Sequence, residues 1–187
     1  DSINGISVND TQNKATLQAG SIATICGHIE GNNDFTGLVS ATIRDSRELI
    51  TCNMNASAAA DSAFAFYDYT KYLFNGSDSI KNGKFNISFA VPMDINYSDK
   101  AGIMNFHAVS SDKQMLAHGY CTNFIVGGTA TVDNDSIGPS IYCYLNSPSF
   151  VNGGNVNSTP YFVAQITDAN GINSTVNGIG LDLQLII

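Results

Sequence analysis

At 187 residues the chain is long enough for one large sandwich, or for a full domain followed by part of another, and 43% hydrophobic against 13% charged residues is the composition of a folded protein, not a disordered one. The 16 acidic against 8 basic side chains give a formal charge of -8, which repels phosphate backbones and anionic membranes and argues against nucleic acid as a partner. No run of about 18 apolar residues exists, and Asp1-Ser2-Ile3-Asn4-Gly5 lacks the basic and apolar regions of a secretion signal. The chain reads as an interior piece of a longer protein or as a mature product.

Residues 1 to 15 are polar and turn-rich and are expected to form an approach segment. From Thr16 to Ile29 the pattern is that of a strand, or of two strands broken at Gly20, with Ala23, Ile25 and Ile29 on one side. A turn at Asn32-Asn33-Asp34 precedes Leu38 to Arg44, where Val39, Ala41 and Ile43 alternate with Ser40, Thr42 and Arg44. A further short strand is expected at Glu48 to Met54. The Ala/Ser stretch from Asn55 to Ala63 leans towards helix without a capping pattern. Phe64, Phe66, Tyr67, Tyr69, Tyr72 and Phe74 then crowd together, as an aromatic cluster covering the end of a core does.

The clearest stretch follows. Phe85, Ile87, Phe89 and Val91 alternate with Asn86, Ser88 and Ala90, the period of a strand with one face buried. Asn82-Gly83 supplies the two positive-φ positions of a type I′ turn, so Ser79 to Lys81 is expected to pair with Lys84 onwards as a hairpin. Pro92 removes a ladder donor and stops the pairing. Ile103 to Val109 and Met115 to Val126 complete the set, with Tyr120, Phe124 and Val126 expected to face one way. Short strands joined by Gly, Asn, Asp and Ser turns predict an all-β fold, an antiparallel immunoglobulin-like β-sandwich over residues 1–127.

Residues 128–139, which are rich in Gly, Thr, Asp and Asn, break the alternation and read as a linker. Beyond it, strands are expected at Ser140 to Leu145, Tyr161 to Thr167 (Phe162, Ala164 and Ile166 inward) and Leu181 to Ile187. Three strands make the start of a second immunoglobulin-like module, residues 140–187. An end on Leu185-Ile186-Ile187 is apolar where domain boundaries are polar, so this module is expected to be truncated, leaving an open sheet edge for self-association.

Candidates for chemistry are few. Cys26, Cys52, Cys121 and Cys143 are too widely spaced for a disulfide scaffold, although Cys26 and Cys121 could pair across one sandwich. Residues two apart on a strand share a face, so Cys26 and His28 could reach one ion together with His118 and Cys121, a ligand set that suits structural zinc but has no known zinc spacing. Cys121 with His107 or His118 is arithmetically a nucleophile and base, yet no strained turn, orienting Asp or oxyanion motif accompanies them. No catalytic residue and no cofactor is therefore expected. Asp133-x-Asp135 and Asp168, Asn170 and Asn173 are oxygen-rich; Asp168, Asn170 and Asn173 are the better calcium candidates, but they lack the Gly and Glu that complete an EF-hand loop and suit ordinary turns equally well. The Asn-x-Ser/Thr sequons, among them Asn9, Asn86 and Asn157, follow from an Asn- and Ser-rich composition.

Several segments together resemble a known family. Phe35-Thr36-Gly37-Leu38-Val39, Leu73-Phe74-Asn75-Gly76, and Lys81-Asn82-Gly83-Lys84-Phe85 with Phe89, Val91-Pro92 and Asp94-Ile95-Asn96-Tyr97 are similar to the region after the peptidase domain in PorU-type, gingipain-like surface proteases, the sortases of the type IX secretion system of Bacteroidetes. Gly138-Pro139, Phe150-Val151-Asn152-Gly153-Gly154, Asp168-x-Asn170-Gly171 and Gly178-Ile179-Gly180 continue the likeness, which runs in order from about residue 16 to the end. The resemblance implies an extracellular, outer-membrane setting and a non-catalytic accessory region that braces the neighbouring peptidase domain and docks to secretion components. The family's usual His after Gly-Ile-Gly is Leu181 here, so a role tied to that His is absent or altered, and the family's catalytic His and Cys have no counterpart in this chain. The alternative class is a surface adhesin or carbohydrate-binding module.

Overall fold

The computed structural model describes residues 1–52, 63–131 and 138–168. All the regular structure among them is β: β1 Ser2–Ile3, β2 Ile6–Ser7, β3 Ala15–Ala19, β4 Ile22–His28, β5 Gly37–Arg44, β6 Glu48–Cys52, β7 Phe64–Asp68, β8 Tyr72–Ile80, β9 Lys84–Ala90, β10 Ile103–Ser110, β11 Leu116–Cys121, β12 Phe124–Thr129, β13 Ser140–Leu145 and β14 Phe162–Thr167. They fall into two units, whose described parts are residues 1–131 and 138–168.

The first unit is a β-sandwich. One antiparallel sheet has the order β2-β1-β4-β9 and the other β11-β10-β5-β8, while β3 and β12 form a parallel pair. Alternation sets which residues meet inside: Ala23 and Ile25 of β4 and Ile87 and Phe89 of β9 face Val39, Ala41 and Ile43 of β5 and Met104 and Ala108 of β10, all of them buried. Phe74 stacks on Phe89 at 4.8 Å, and Phe85 lies 5.6 Å from Phe106, so an aromatic pair joins the two sheets at two places. Phe124, Val126 and Leu17, fully buried, bring the β3–β12 pair onto the same core.

Four expectations are corrected. The N-terminal residues are not an approach segment, because Asn4 (φ 51°) and Gly5 (φ 80°) make a tight turn between β1 and β2. β1 then pairs with β4, and the Asn4 side chain accepts the Thr24 N–H at 2.7 Å. The expected hairpin at Asn82-Gly83 is reduced to a single bridge between Lys81 and Lys84. Both residues do have positive φ, 50° and 67°. Yet β8 pairs with β5 and β9 with β4, so the turn carries the chain from one sheet to the other. The contact of Phe74 with Phe89 shows why: the apolar faces of β8 and β9 are opposed across the core instead of lying side by side. The corner is pinned by Ile29 N–H donating to the Gly83 carbonyl at 2.7 Å and Gly83 N–H donating to the Phe35 carbonyl at 2.8 Å.

The third correction concerns the aromatic run. Leu73 and Phe74 reach the core, but Phe64, Phe66 and Tyr67 are 60%, 38% and 64% exposed. They sit on β7, which among the described residues pairs with β6 alone, in a separate two-stranded ribbon. The fourth lies at β11 and β12. Tyr120 does not share a face with Phe124 and Val126; it is exposed on β11, and the chain leaves that sheet at Thr122-Asn123 to begin β12 beside β3. β12 also continues through an irregularity at Gly127 and Gly128 to Thr129, which pairs with Ala19, so the strand runs two residues into the stretch read as linker. The helix-leaning segment lies almost wholly outside the described residues.

In the second unit β13 and β14 pair over six positions, from Ser140 opposite Thr167 to Leu145 opposite Phe162. Phe162 and Ala164, expected inward, are exposed, and no described residue of this unit is buried. The two described strands by themselves offer no second layer to bury a face against. The third strand expected there, with Leu181, lies outside the described residues.

Candidate functional site

The thiols and imidazoles singled out in the sequence are dispersed by the two-residue period of the strands. On β11, Ala117 and Cys121 turn towards the core while His118 and Tyr120 point outward, so His118 and Cys121 leave opposite faces of the sheet. They can neither share a zinc ion nor act as nucleophile and base. His107, likewise outward on β10, is on the far side of the sheet from Cys121. Cys26 is exposed on the outer face of β4, in the other sheet, so the proposed Cys26–Cys121 bridge is excluded and all four cysteines are free. His28 shares the Cys26 face, but its Nδ1 is 2.8 Å from the Asp1 carboxylate. Among the described residues no three His, Cys, Asp or Glu side chains converge as a fully protein-ligated metal ion requires. Of the calcium candidates, Asp168 directly follows β14, and Asn170 and Asn173 lie outside the described residues, as do Asp133 and Asp135.

The most elaborate polar arrangement is structural and was not foreseen. Asp45, fully buried at the end of β5, accepts the Ser46 N–H at 2.5 Å and the Asn96 N–H at 2.6 Å. The Asn96 side chain returns a bond to the Ser46 carbonyl at 3.0 Å, and the Ser46 and Ser98 hydroxyls meet at 2.6 Å. Beside it, Arg44 donates to the Tyr69 carbonyl and the Tyr72 hydroxyl and lies over the Tyr72 ring, while Lys71 donates to the Asp94 carbonyl. These bonds fasten the turn after β5 to the 94–98 segment, using the Asp94-Ile95-Asn96-Tyr97 stretch that carried the family likeness. No local signal marks them, since Asp45 and Ser46 stand between Arg44 and Arg47 in a polar stretch; burial creates the need for partners.

Among the described residues, three surface features stand out. An open groove of about 430 Å³ is lined by Cys26 and Gly27 of β4, Asp78 and Ser79 of β8, and Lys84 and Phe85 of β9. The β6–β7 ribbon exposes Leu49, Phe64 and Tyr67. The outer face of the β11-β10-β5-β8 sheet presents rows of aligned side chains: His118, His107, Ser40 and Ser77 in one, Tyr120, Asn105, Thr42 and Asn75 in the next. Ser40 and Ser77 hydroxyls meet at 3.1 Å within the first row. The β10–β11 turn that sets this alignment is held by Asp112, which accepts the Ser110 hydroxyl at 2.5 Å and the Gln114 N–H at 3.0 Å. The Ser110 hydroxyl, then the Gln114 N–H, hold the Asp112 carboxyl below the usual aspartate range.

No protein-family model and no curated protein matches the chain. Among solved structures it is similar to dimeric latent PorU from Porphyromonas gingivalis, at 30% identity and a TM-score of 0.69 over 96% of this chain. A likeness to the sporulation control protein Spo0M from Bacillus subtilis covers 62% of this chain and 46% of that one, at 14% identity and a TM-score of 0.38. The chain spans 17% of the length of the PorU chain it matches. In sequence and in backbone, this all-β chain is similar to one stretch of a much longer protein, and is a PorU-like domain.

Proposed function

We propose that this chain is an immunoglobulin-like, non-catalytic accessory region of a cell-surface protease of the PorU type, a type IX secretion sortase at the outer membrane of a Bacteroidetes bacterium. Its work is to brace the neighbouring peptidase domain and to dock partners through sheet faces and loops. The observation that carries this reading is the match to PorU along 96% of the chain. The two opposed antiparallel sheets, β2-β1-β4-β9 and β11-β10-β5-β8, also support it, since an immunoglobulin-like sandwich is built of two such layers. The dispersal of Cys121, His107 and His118 over two faces fits a scaffold better than an active site. Self-association through an open edge belongs to the same proposal; β11 is an outermost strand of its sheet, and the edge inferred from Leu185-Ile186-Ile187 lies outside the described residues.

The test is to read the gene on both sides of the segment and to express the neighbouring domain. A gingipain-like peptidase domain with a His/Cys pair ahead of Asp1, bound by this chain or destabilised when it is deleted, supports the proposal. An unrelated neighbour overturns it. A small hydrolase would instead show turnover that disappears in Cys121→Ala.

A second reading, an adhesin or carbohydrate-binding module, is favoured by one observation, the exposed aromatic side chains of the β6–β7 ribbon. Binding on a glycan array that is lost in Tyr67→Ala would establish it.

A further inference from the structure

We propose that His107 and His118 form a two-point chelate for a borderline transition-metal dication such as Zn²⁺, Ni²⁺ or Cu²⁺ on the outer face of the β11-β10-β5-β8 sheet. The proposal is independent of the protease reading. The chain has three histidines, and two of them are direct partners across the β10–β11 ladder. Side chains directly opposite each other in an antiparallel pair leave the same face with Cβ atoms ~4.5–5.5 Å apart. Two imidazoles rooted at that spacing can swing together until one nitrogen of each lies ~2.0–2.1 Å from a single ion, the usual Zn–N distance. Imidazole is also the ligand that suits Zn, Cu and Ni, in preference to the oxygen donors that calcium and magnesium take.

The surroundings favour a cation. Both histidines are exposed and make no hydrogen bond or ion pair with other described side chains, so neither ring is committed elsewhere. In their own row the neighbours are the neutral Ser40 and Ser77, and the rows on either side hold Tyr120 and Asn105, Leu116 and Val109; none of these carries a charge that would repel a dication. The chain as a whole, at -8, attracts one. The turn below the pair is fixed by Ser110 and Asp112, so the register that brings His107 opposite His118 is built in. With two protein ligands the ion keeps open positions for water or for a donor from a bound molecule.

The test is calorimetric titration of the 187-residue chain with Zn²⁺, Ni²⁺ and Cu²⁺ in a non-chelating buffer, beside His107→Gln, His118→Gln and His28→Gln. One ion per chain is expected, tightest for Cu²⁺ following the usual order of divalent affinities, with affinity falling at least ~10-fold in either of the first two variants and unchanged in His28→Gln. Ser40→His, which places a third imidazole in the same row, should tighten binding. The nitrogen splitting in the Cu²⁺ electron paramagnetic resonance spectrum should report two imidazoles in the parent chain and one in His118→Gln. Absence of binding, an equal loss in His28→Gln, or full affinity retained in His118→Gln would overturn the proposal. All these side chains are exposed, so the variants are expected to fold, and a circular dichroism melt confirms it.

Discussion

Replacing Asp45 with alanine removes a fully buried side chain that helps tie the turn after β5 to the 94–98 segment. Its two carboxyl oxygens accept the Ser46 and Asn96 N–H groups, at 2.5 and 2.6 Å, and Ser46 and Asp45 are 1% and 0% exposed. A buried donor left without a partner costs ~1–3 kcal/mol. Ser46 N–H lies at the upper end of that range and the half-buried Asn96 N–H towards the lower, so the sum comes to about 3–5 kcal/mol. For a unit of this size that corresponds to a fall in Tm of ~10–20 °C. Asp45→Asn keeps the shape but turns an amide NH₂ towards one of the same donors, and is expected to fall nearly as far. With no tryptophan and 8 tyrosines in the chain, urea unfolding is followed by tyrosine fluorescence and by far-ultraviolet circular dichroism. A double-mutant cycle with Asn96→Ala, which removes the bond to the Ser46 carbonyl, should show coupling, because both side chains hold the same turn. A loss under about 1 kcal/mol in Asp45→Ala, with an unchanged urea slope, would mean that water satisfies both donors and that this side chain does not hold the turn.

Gly83→Ala should destabilise the sandwich by about 2 kcal/mol or more, since a Cβ there is strained at φ 67° and would lie 2.5 Å from the Asn32 carbonyl oxygen; a neutral outcome in urea unfolding would show that the corner is free to shift. Phe124→Ala should cost ~3–5 kcal/mol, because a fully buried ring that joins the β3–β12 pair to the core leaves a cavity, and a thermal melt reads it. The Asp112 carboxyl should titrate below the ordinary aspartate value in a carbon-detected NMR titration, and Ser110→Ala should move its midpoint back up. Since its folded-state value is depressed, its contribution to stability is present above the unfolded-state value and is lost as pH falls through the folded-state one.

Alternation alone located the inward faces of β4, β5 and β9, because a strand that is half buried must place apolar side chains at every second residue whatever its neighbours are. The Asn82-Gly83 dipeptide likewise declared its positive φ values before any partner was known. Which strands those elements would pair with was not written locally. The same turn chemistry closes a hairpin or carries the chain between sheets, and the choice fell to the packing of Phe74 on Phe89 across the core. For the same reason the aromatic run from Phe64 to Phe74 was placed correctly only in part: aromatic residues recur along it, but Leu73 and Phe74 reach the core while Phe64, Phe66 and Tyr67 are exposed. The metal and catalytic pairings failed on geometry that period 2 already contained, since His118 and Cys121 are an odd number of residues apart and so leave opposite faces. The sequence by itself determined that this chain is built of strands, where they bend and which side of each is greasy, because those are properties of a residue and its immediate neighbours. Only the tertiary structure decided which sheet each strand joins, which polar residues become a buried knot around Asp45 and which histidines meet, because these depend on contacts between segments far apart in the chain, whose energies no local stretch contains.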